Sequence, residues 1–376
     1  MRKNIFSVGI ISLLVVTSCD SGYAPLDNAV YFGEAQTTNL KTITITNDGA
    51  KTDLYAMLTK VANEDVVVSV VSDAAVLDRY NSRNGSNYLL LPENFYKFGA
   101  DELVIKAGQL TSEMLPVEVF PFDETLNVSE KYAIPVKIAS SYGMEKLESA
   151  SEIVLLCDKL IETQTYHTTG GLGPSGTVAD SPSSADETIM LHQWTIEFLS
   201  YCELFGTNAH NFNIKGMTTQ GIFCRYGELD HPKDELQVKV FNVPFYGIAK
   251  YEPKKWNHIA ITCDGTIVKI YKNGVLDLTV DNPEPGKALE IASITLKQGN
   301  PGAMSEFRIW SVVRSQSEIS HNIWAVNPKA EGLVHYWKMN DGPGSTTFKD
   351  VVENGLDLPI IKKNGTWKDQ MFPPEQ

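Results

Sequence analysis

Apolar residues alternate with polar ones, or gather in short β-branched runs, at residues 42–46, 66–71, 103–106, 115–120, 134–138 and 153–156. Alternation of period two places the apolar side chains on one face of an extended segment, so each run predicts a strand with one buried side. Residues 55–58 add a further strand to this group. Asn47-Asp48-Gly49, Asn84-Gly85 and Ala107-Gly108 supply turns between them. Between residues 167 and 187 the pattern breaks, with Gly170-Gly171, Gly173-Pro174, Ser181-Pro182 and Ser183-Ser184 close together. Strands resume at 194–201, 221–226, 236–241, 258–263, 266–271, 291–296 and 306–310. Asn273-Gly274 joins two of these runs and is the strongest hairpin signal, because that pair supplies the positive φ angles of a tight turn. One short helix is predicted in this half, from Ser315 to about Ala325, opened by a capping box of Ser315 and Glu318; it closes a sandwich.

The first residues follow a different rule. Arg2 and Lys3 precede an apolar run over residues 5–16 that is too short to span a bilayer but suits the core of a signal peptide. Val16-Thr17-Ser18-Cys19 then resembles a bacterial lipobox. That resemblance implies a lipoprotein signal peptide over residues 1–18, cleavage before Cys19 and a diacylglycerol on its sulfur; an ordinary secretory signal is the alternative. Residues 19–28, with Gly22 and Pro25 and no periodicity, read as a tether.

Composition narrows the partners. The 376 residues leave room for two domains, and 46 acidic against 32 basic residues give a net charge of -14, which repels nucleic acid. Cys157, Cys202, Cys224 and Cys263 form no Cys-x-x-Cys pair and lie among apolar neighbours, so they read as buried thiols. Trp194, Trp256, Trp310 and Trp337 fall inside predicted strands and read as core; Trp324 and Trp367 are undecided. Jelly-roll glycosidases need carboxylates spaced by two along one strand. The nearest approach, Glu228-Leu229-Asp230, runs straight into His231-Pro232 and reads as a loop. With no His-Glu-x-x-His and no Gly-x-Ser-x-Gly, no enzyme is expected.

Two family resemblances emerge from spaced motifs. Asp65-Val66-Val67-Val68, Tyr80-Asn81, Asn87-Tyr88, Leu91-Pro92, Ile105-Lys106-Ala107-Gly108 and Tyr132-Ala133-Ile134-Pro135-Val136 resemble an N-terminal domain of Bacteroidetes surface lipoproteins. That implies an immunoglobulin-like β-sandwich over residues 29–159. Trp256-Asn257-His258-Ile259-Ala260, Glu306-Phe307-Arg308-Ile309-Trp310 with Arg314 and Ile319, and Gly332-Leu333-Val334-His335-Tyr336-Trp337-Lys338 are similar to the laminin-G or concanavalin A-like lectin class. That implies a jelly-roll sandwich over residues 160–376 and an all-β chain. By family company the protein is expected at the outer membrane, lipid-anchored and surface-exposed, serving glycan utilisation beside other glycan-uptake proteins. The rival readings are a structural or protein-binding lipoprotein and a glycoside hydrolase.

Sugar recognition uses aromatic faces against the apolar side of a pyranose and polar side chains for its hydroxyls. His210, Asn211, Phe212, Arg225, Tyr226, Phe245 and Tyr246 are the candidates, each aromatic having core packing as its alternative. No cofactor is required. Asp341, Asp350, Asn354 and Asp357 could hold calcium through hard oxygen ligands, or serve only as turn formers beside Gly342 and Gly355.

Overall fold

A computed structural model describes residues 28–123, 125–126, 130–171, 176–181, 188–217, 220–362 and 364–374. The signal sequence, Cys19 and nearly all of the tether lie outside these residues.

Two apolar cores form in succession. The first draws on residues 30–157, among them Val30, Phe32, Ile45, Val68, Val117, Ile134 and Leu155. They come from a sheet ordered Leu40–Ile45, Glu152–Lys159, Tyr132–Ser141, Val66–Ser72 and Glu102–Ile105. Two three-stranded sheets face it, so the sandwich expected from the alternating runs is present. Strands Ala29–Phe32 and Ala50–Leu54 were not predicted, and helix Ala74–Asn84 lies where no helix was predicted. Asp73 caps its start by accepting from the Ala75 amide at 2.9 Å, and Gly85 ends it with φ 59°. Only Val76 and Leu77 of this helix are buried, on Ala133, Val154 and Leu156; so narrow an apolar stripe gives little periodic signal.

The second core draws on residues 166–360 and fills the space between two antiparallel sheets. The larger is ordered Val275–Asp281, Ile267–Lys272, Trp256–Cys263, Trp194–Cys202, Gly302–Trp310, Ile161–Thr168 and Thr366–Phe372, with Leu333–Trp337 also paired to Gly302–Trp310. The smaller is ordered Thr177–Asp180, Ser293–Lys297, Ala209–Lys215, Gln220–Tyr226, Leu236–Val240 and Val243–Tyr246. The predicted hairpin turns at Asn273 (φ 49°) and Gly274 (φ 78°). A side chain at Gly274 would meet the Cα of Ser320 at 2.6 Å, so the glycine also lets the cap helix approach. The single run predicted over 291–296 is split, with Ala292 separating Leu289–Ile291 from Ser293–Lys297.

The outer face of the larger sheet is sealed by an ionic layer. Glu197 is fully buried and accepts from Arg314 Nη1 at 2.8 Å and Arg308 Nη1 at 3.3 Å, with His258 Nε2 at 3.1 Å. Arg308 also reaches Glu306 at 2.8 Å and donates to the carbonyls of Asn322 and Ile323. The cap helix has the expected capping box at Ser315 and Glu318 but ends at His321, not near Ala325. The Arg308 guanidinium takes the next two carbonyls, so continuing the helix would leave that buried cation without them. The other half of the family motif, Trp194, Trp256, Trp310 and Trp337, is buried as expected. Trp324 stacks on Phe372 and Trp367 packs on Tyr166.

Only Leu160 separates the last strand of the first sandwich from the first strand of the second. The His321 ring packs edge-on to Tyr88 at 5.5 Å and its Nε2 lies 3.3 Å from the Tyr80 hydroxyl, so the cap helix meets the first sandwich. No helix among the described residues is long and apolar enough to cross a membrane.

Cys157, Cys202, Cys224 and Cys263 are buried and free. Burial pushes the thiols of Cys157 and Cys224 up to about 12 and that of Cys202 up to about 11; a thiolate is the reactive form. These four thiols are expected to resist Ellman's reagent in the native protein at pH 8 and to react together on denaturation. Rapid native reaction of more than one would contradict this packing.

Candidate functional site

The smaller sheet of the second sandwich has an open outer face. Its inner face is apolar: Phe212, Ile214, Ile222, Cys224, Tyr226, Leu236, Val238, Ile294 and Leu296 all belong to the core. The alternate residues therefore look outward. Strand register aligns them in two rows, Thr295, Asn213, Phe223 and Lys239 in one, His210, Arg225, Gln237 and Tyr246 in the other.

Phe223 is the half-buried aromatic of the first row. The His210 ring stacks with it at 5.2 Å and 16°, and Arg225 and Lys239 hold cations 5.5 and 5.6 Å from its centroid, within the range of cation–π attraction. Burial first, then Lys297 and Arg225, hold His210 down at about 4, so its imidazole is neutral at pH 7. At the end of the second row, Glu228 gathers three donors: Arg225, the Gln237 amide and the Tyr246 hydroxyl, the last at 2.5 Å. The Tyr246 bond is the main reason the Glu228 carboxyl titrates below its ordinary range. His231 lies flat on Tyr246, 3.8 Å between centroids and 3° between planes, and its Nδ1 is 2.6 Å from Glu235. Lys250 and His231 outweigh burial to lower the Glu235 carboxyl. The result is a rigid corner with a half-exposed aromatic stack.

The sequence candidates divide by strand parity. His210, Arg225 and Tyr246 stand on this outer face. Phe212 and Tyr226 do not: both are within one per cent of complete burial, because they occupy the inward positions of their strands. Asn211 sits at a bulge and is buried, its amide 3.7 Å from Cys224 Sγ, and Phe245 packs against the core opposite Val238. Burial keeps Asn211, Phe212 and Tyr226 from a ligand, and Phe245 stands on the inner side of its strand, partly buried. Asn213, Phe223 and Lys239 stand on the outer face in their place, while Gln237 is buried among Arg225, Glu228 and Tyr246. Strand alternation points to Phe223, which shares parity with Arg225.

The calcium set resolves as turn chemistry. Asp350 Oδ1 accepts from the amides of Tyr336 and Val352, both at 3.0 Å. Its Oδ2 accepts from the Leu356 amide at 3.1 Å and pairs with His335 Nδ1 at 2.6 Å. Asp341 and Asp357 each accept a backbone amide at 3.0 Å, and Asn354 takes a left-handed turn with φ 57°. With its oxygens so engaged, this set does not fit a six- to eight-oxygen calcium shell. Among the described residues no three His, Cys, Asp or Glu side chains gather as metal ligands. Two clefts lie elsewhere, one of 500 Å³ beside Glu162 and Gln370 and one of 310 Å³ beside His335. Neither is lined by residues of the aromatic face.

Residues 226–320 match the model of the concanavalin A-like lectin/glucanases superfamily. This segment is similar to concanavalin A-like domains. It spans the Glu228 corner, the Asn273-Gly274 hairpin and the cap helix, while residues 26–145 match the model of an N-terminal domain family. A candidate carbohydrate binding protein from Bacteroides ovatus ATCC 8483 is similar at 21% identity and a TM-score of 0.52, over 90% of this chain and 97% of that one, which shows a shared fold. Looser similarity extends to the native heptameric SAP-like pentraxin from Limulus polyphemus, at 11% identity and a TM-score of 0.36, over 56% of this chain and 94% of that one. It extends also to Bacteroides thetaiotamicron EndoBT-3987 with Man5GlcNAc product, at 21% identity and a TM-score of 0.30, over 35% of this chain and 30% of that one. No curated protein is significantly similar in sequence.

Proposed function

We propose that this chain is a non-catalytic, lipid-anchored protein that captures glycan on the outer face of the smaller sheet of its concanavalin A-like domain. One observation carries the reading: Phe223, His210 and Tyr246 share an open sheet face with Asn213, Arg225 and Lys239, joining aromatic surface to polar and charged groups. The likeness to a candidate carbohydrate binding protein is consistent with it. Glu228 favours binding over catalysis, since its oxygens are engaged by three neighbours and its carboxyl is lowered, the wrong direction for a general acid. The first sandwich serves as a spacer, Cys19 as the acylated first residue, and the outer membrane surface as the location; the mass of the N-terminal peptide from cells tests the anchor.

Phe223→Ala and Tyr246→Ala are each expected to weaken retention on a polysaccharide affinity gel by about tenfold or more, with far-UV spectra unchanged. Wild-type protein that runs freely through plant, microbial and host glycans alike would sink the capture reading.

A second reading, protein binding within a surface complex, is favoured by edge strand Val275–Asp281, where Val275 is 65% and Leu276 43% exposed beside Ile248 at 71%. Such an edge can accept a partner strand. Pull-down of a defined protein partner, with every glycan failing, would select it.

A further inference from the structure

The same outer face carries positive charge that no ion pair among the described residues neutralises. Lys215, Lys239 and Lys297 all lie on it, and none has a carboxylate within ion-pair distance there. Arg225 is committed to Glu228, and Asp180, the acidic residue nearest Lys297 in the sheet, accepts from the Thr295 hydroxyl at 2.7 Å. The register places the three lysines around the paired Asn213 and Phe223. Lys215 and Lys297 stand at opposite ends of the pairing between Ala209–Lys215 and Ser293–Lys297, and Lys239 stands two strands away, opposite Phe223. With strands ~4.8 Å apart, Lys239 lies about 10 Å across the sheet from the Ala209–Lys215 strand.

Two features make this crowding unusual. The whole chain carries a net charge of -14, so a surface patch taken at random is acidic. Burial lowers the Lys297 ammonium and Lys215 lowers it further, outweighing the opposite pull of Asp180, while Lys297 and Arg225 help to hold His210 neutral. Like charges gathered on a half-buried face disfavour one another, and an anion seated among them reverses that cost. Lys51 and Lys106, on the first sandwich, have carboxylate partners at 3.0 and 2.8 Å and serve as controls away from this face.

Resting on the capture reading above, we propose that the glycan taken by this face is acidic. Its carboxylate or sulfate groups lie among Lys215, Lys239 and Lys297, and its sugar rings run along Phe223 and His210. Carboxylate and sulfate share the anionic chemistry that the lysines recognise.

The test uses the mature full-length chain on affinity gels containing polygalacturonate, dextran sulfate, or neutral dextran and mannan. Retention is expected on at least one acidic polymer in preference to the neutral ones, and polygalacturonate against dextran sulfate separates carboxylate from sulfate. Raising NaCl from about 50 mM to about 500 mM should weaken that retention by about tenfold or more. The double variant Lys239→Ala/Lys297→Ala should weaken it similarly, whereas Lys51→Ala/Lys106→Ala should leave it unchanged. Equal loss in both double variants would mean unspecific charge attraction and overturn the proposal. Retention on neutral polymers, abolished by Phe223→Ala but indifferent to salt and to Lys239→Ala/Lys297→Ala, would overturn acidic recognition and leave capture standing. Passage through every gel would overturn both.

Discussion

Replacing Glu197 by Gln is expected to remove about 3–5 kcal/mol of stability at pH 7, the usual cost of leaving a buried charge without its partner. The side chain keeps its size, so no cavity complicates the result. What changes is the balance: Glu197 and Glu306 face Arg308 and Arg314 in a layer where the exposure of every member is 6% or less. His258 adds no compensating charge, because burial lowers it despite its contact with Glu197. The variant therefore strands one positive charge beneath the cap helix. Urea denaturation of wild type and variant measures the difference, and a change below about 0.5 kcal/mol would show that the layer does not hold the cap. Arg308→Lys should not be benign either, since an ammonium cannot serve Glu197, Glu306 and two carbonyls together.

Acid should weaken the protein in two stages. His167 and His210 are both held at about 4, below the ordinary 6.5, chiefly by burial. The unfolded chain binds these protons first, so the stability from the neutral rings is complete above pH 6.5, falls as the pH drops toward 4, and is level below that. A pKa unit corresponds to ~1.4 kcal/mol, which sets a ceiling of about 3 kcal/mol for each histidine before solvent screening reduces it. Glu197 acts next: burial alone would raise its carboxyl, but Arg314, His258 and Arg308 lower it from 4.5. Its contribution is present above 4.5 and is lost below it. Denaturation midpoints measured from pH 7.5 to 3.5 should thus decline from about 6.5, with a further decline below about 4.5 that Glu197→Gln lacks. His167→Gln/His210→Gln should reduce the upper stage and leave the share of His258, which burial also lowers. A midpoint constant between pH 6.5 and 4.5 would contradict the burial of both rings.

Much of this architecture was legible in the alternation of the strands. Val66–Ser72, Trp194–Cys202 and Leu236–Val240 lie almost where periodicity put them, because one face of each must enter a core. Helix Ala74–Asn84 was not legible, since its polar sequence buries two residues and its signals are reduced to Asp73 and Gly85. The site was half legible. Adjacent candidates such as Arg225-Tyr226 combined aromatic and polar types, but neighbours in a strand point to opposite faces, so one member of each group enters the core. The bulge at Asn211 adds a shift of parity that no local pattern announces. Asn213, Phe223 and Lys239, which flank the candidates, become neighbours through the pairing of three successive strands, a register that alternation alone does not give.

The ionic clamp and the aromatic face occupy opposite leaves of one sandwich, with the apolar core between them. Selection can therefore exchange residues on one leaf without disturbing the other. Exchanging lysine for acid, or phenylalanine for a broader ring, on the exposed leaf should leave the latch beneath the helix as it is.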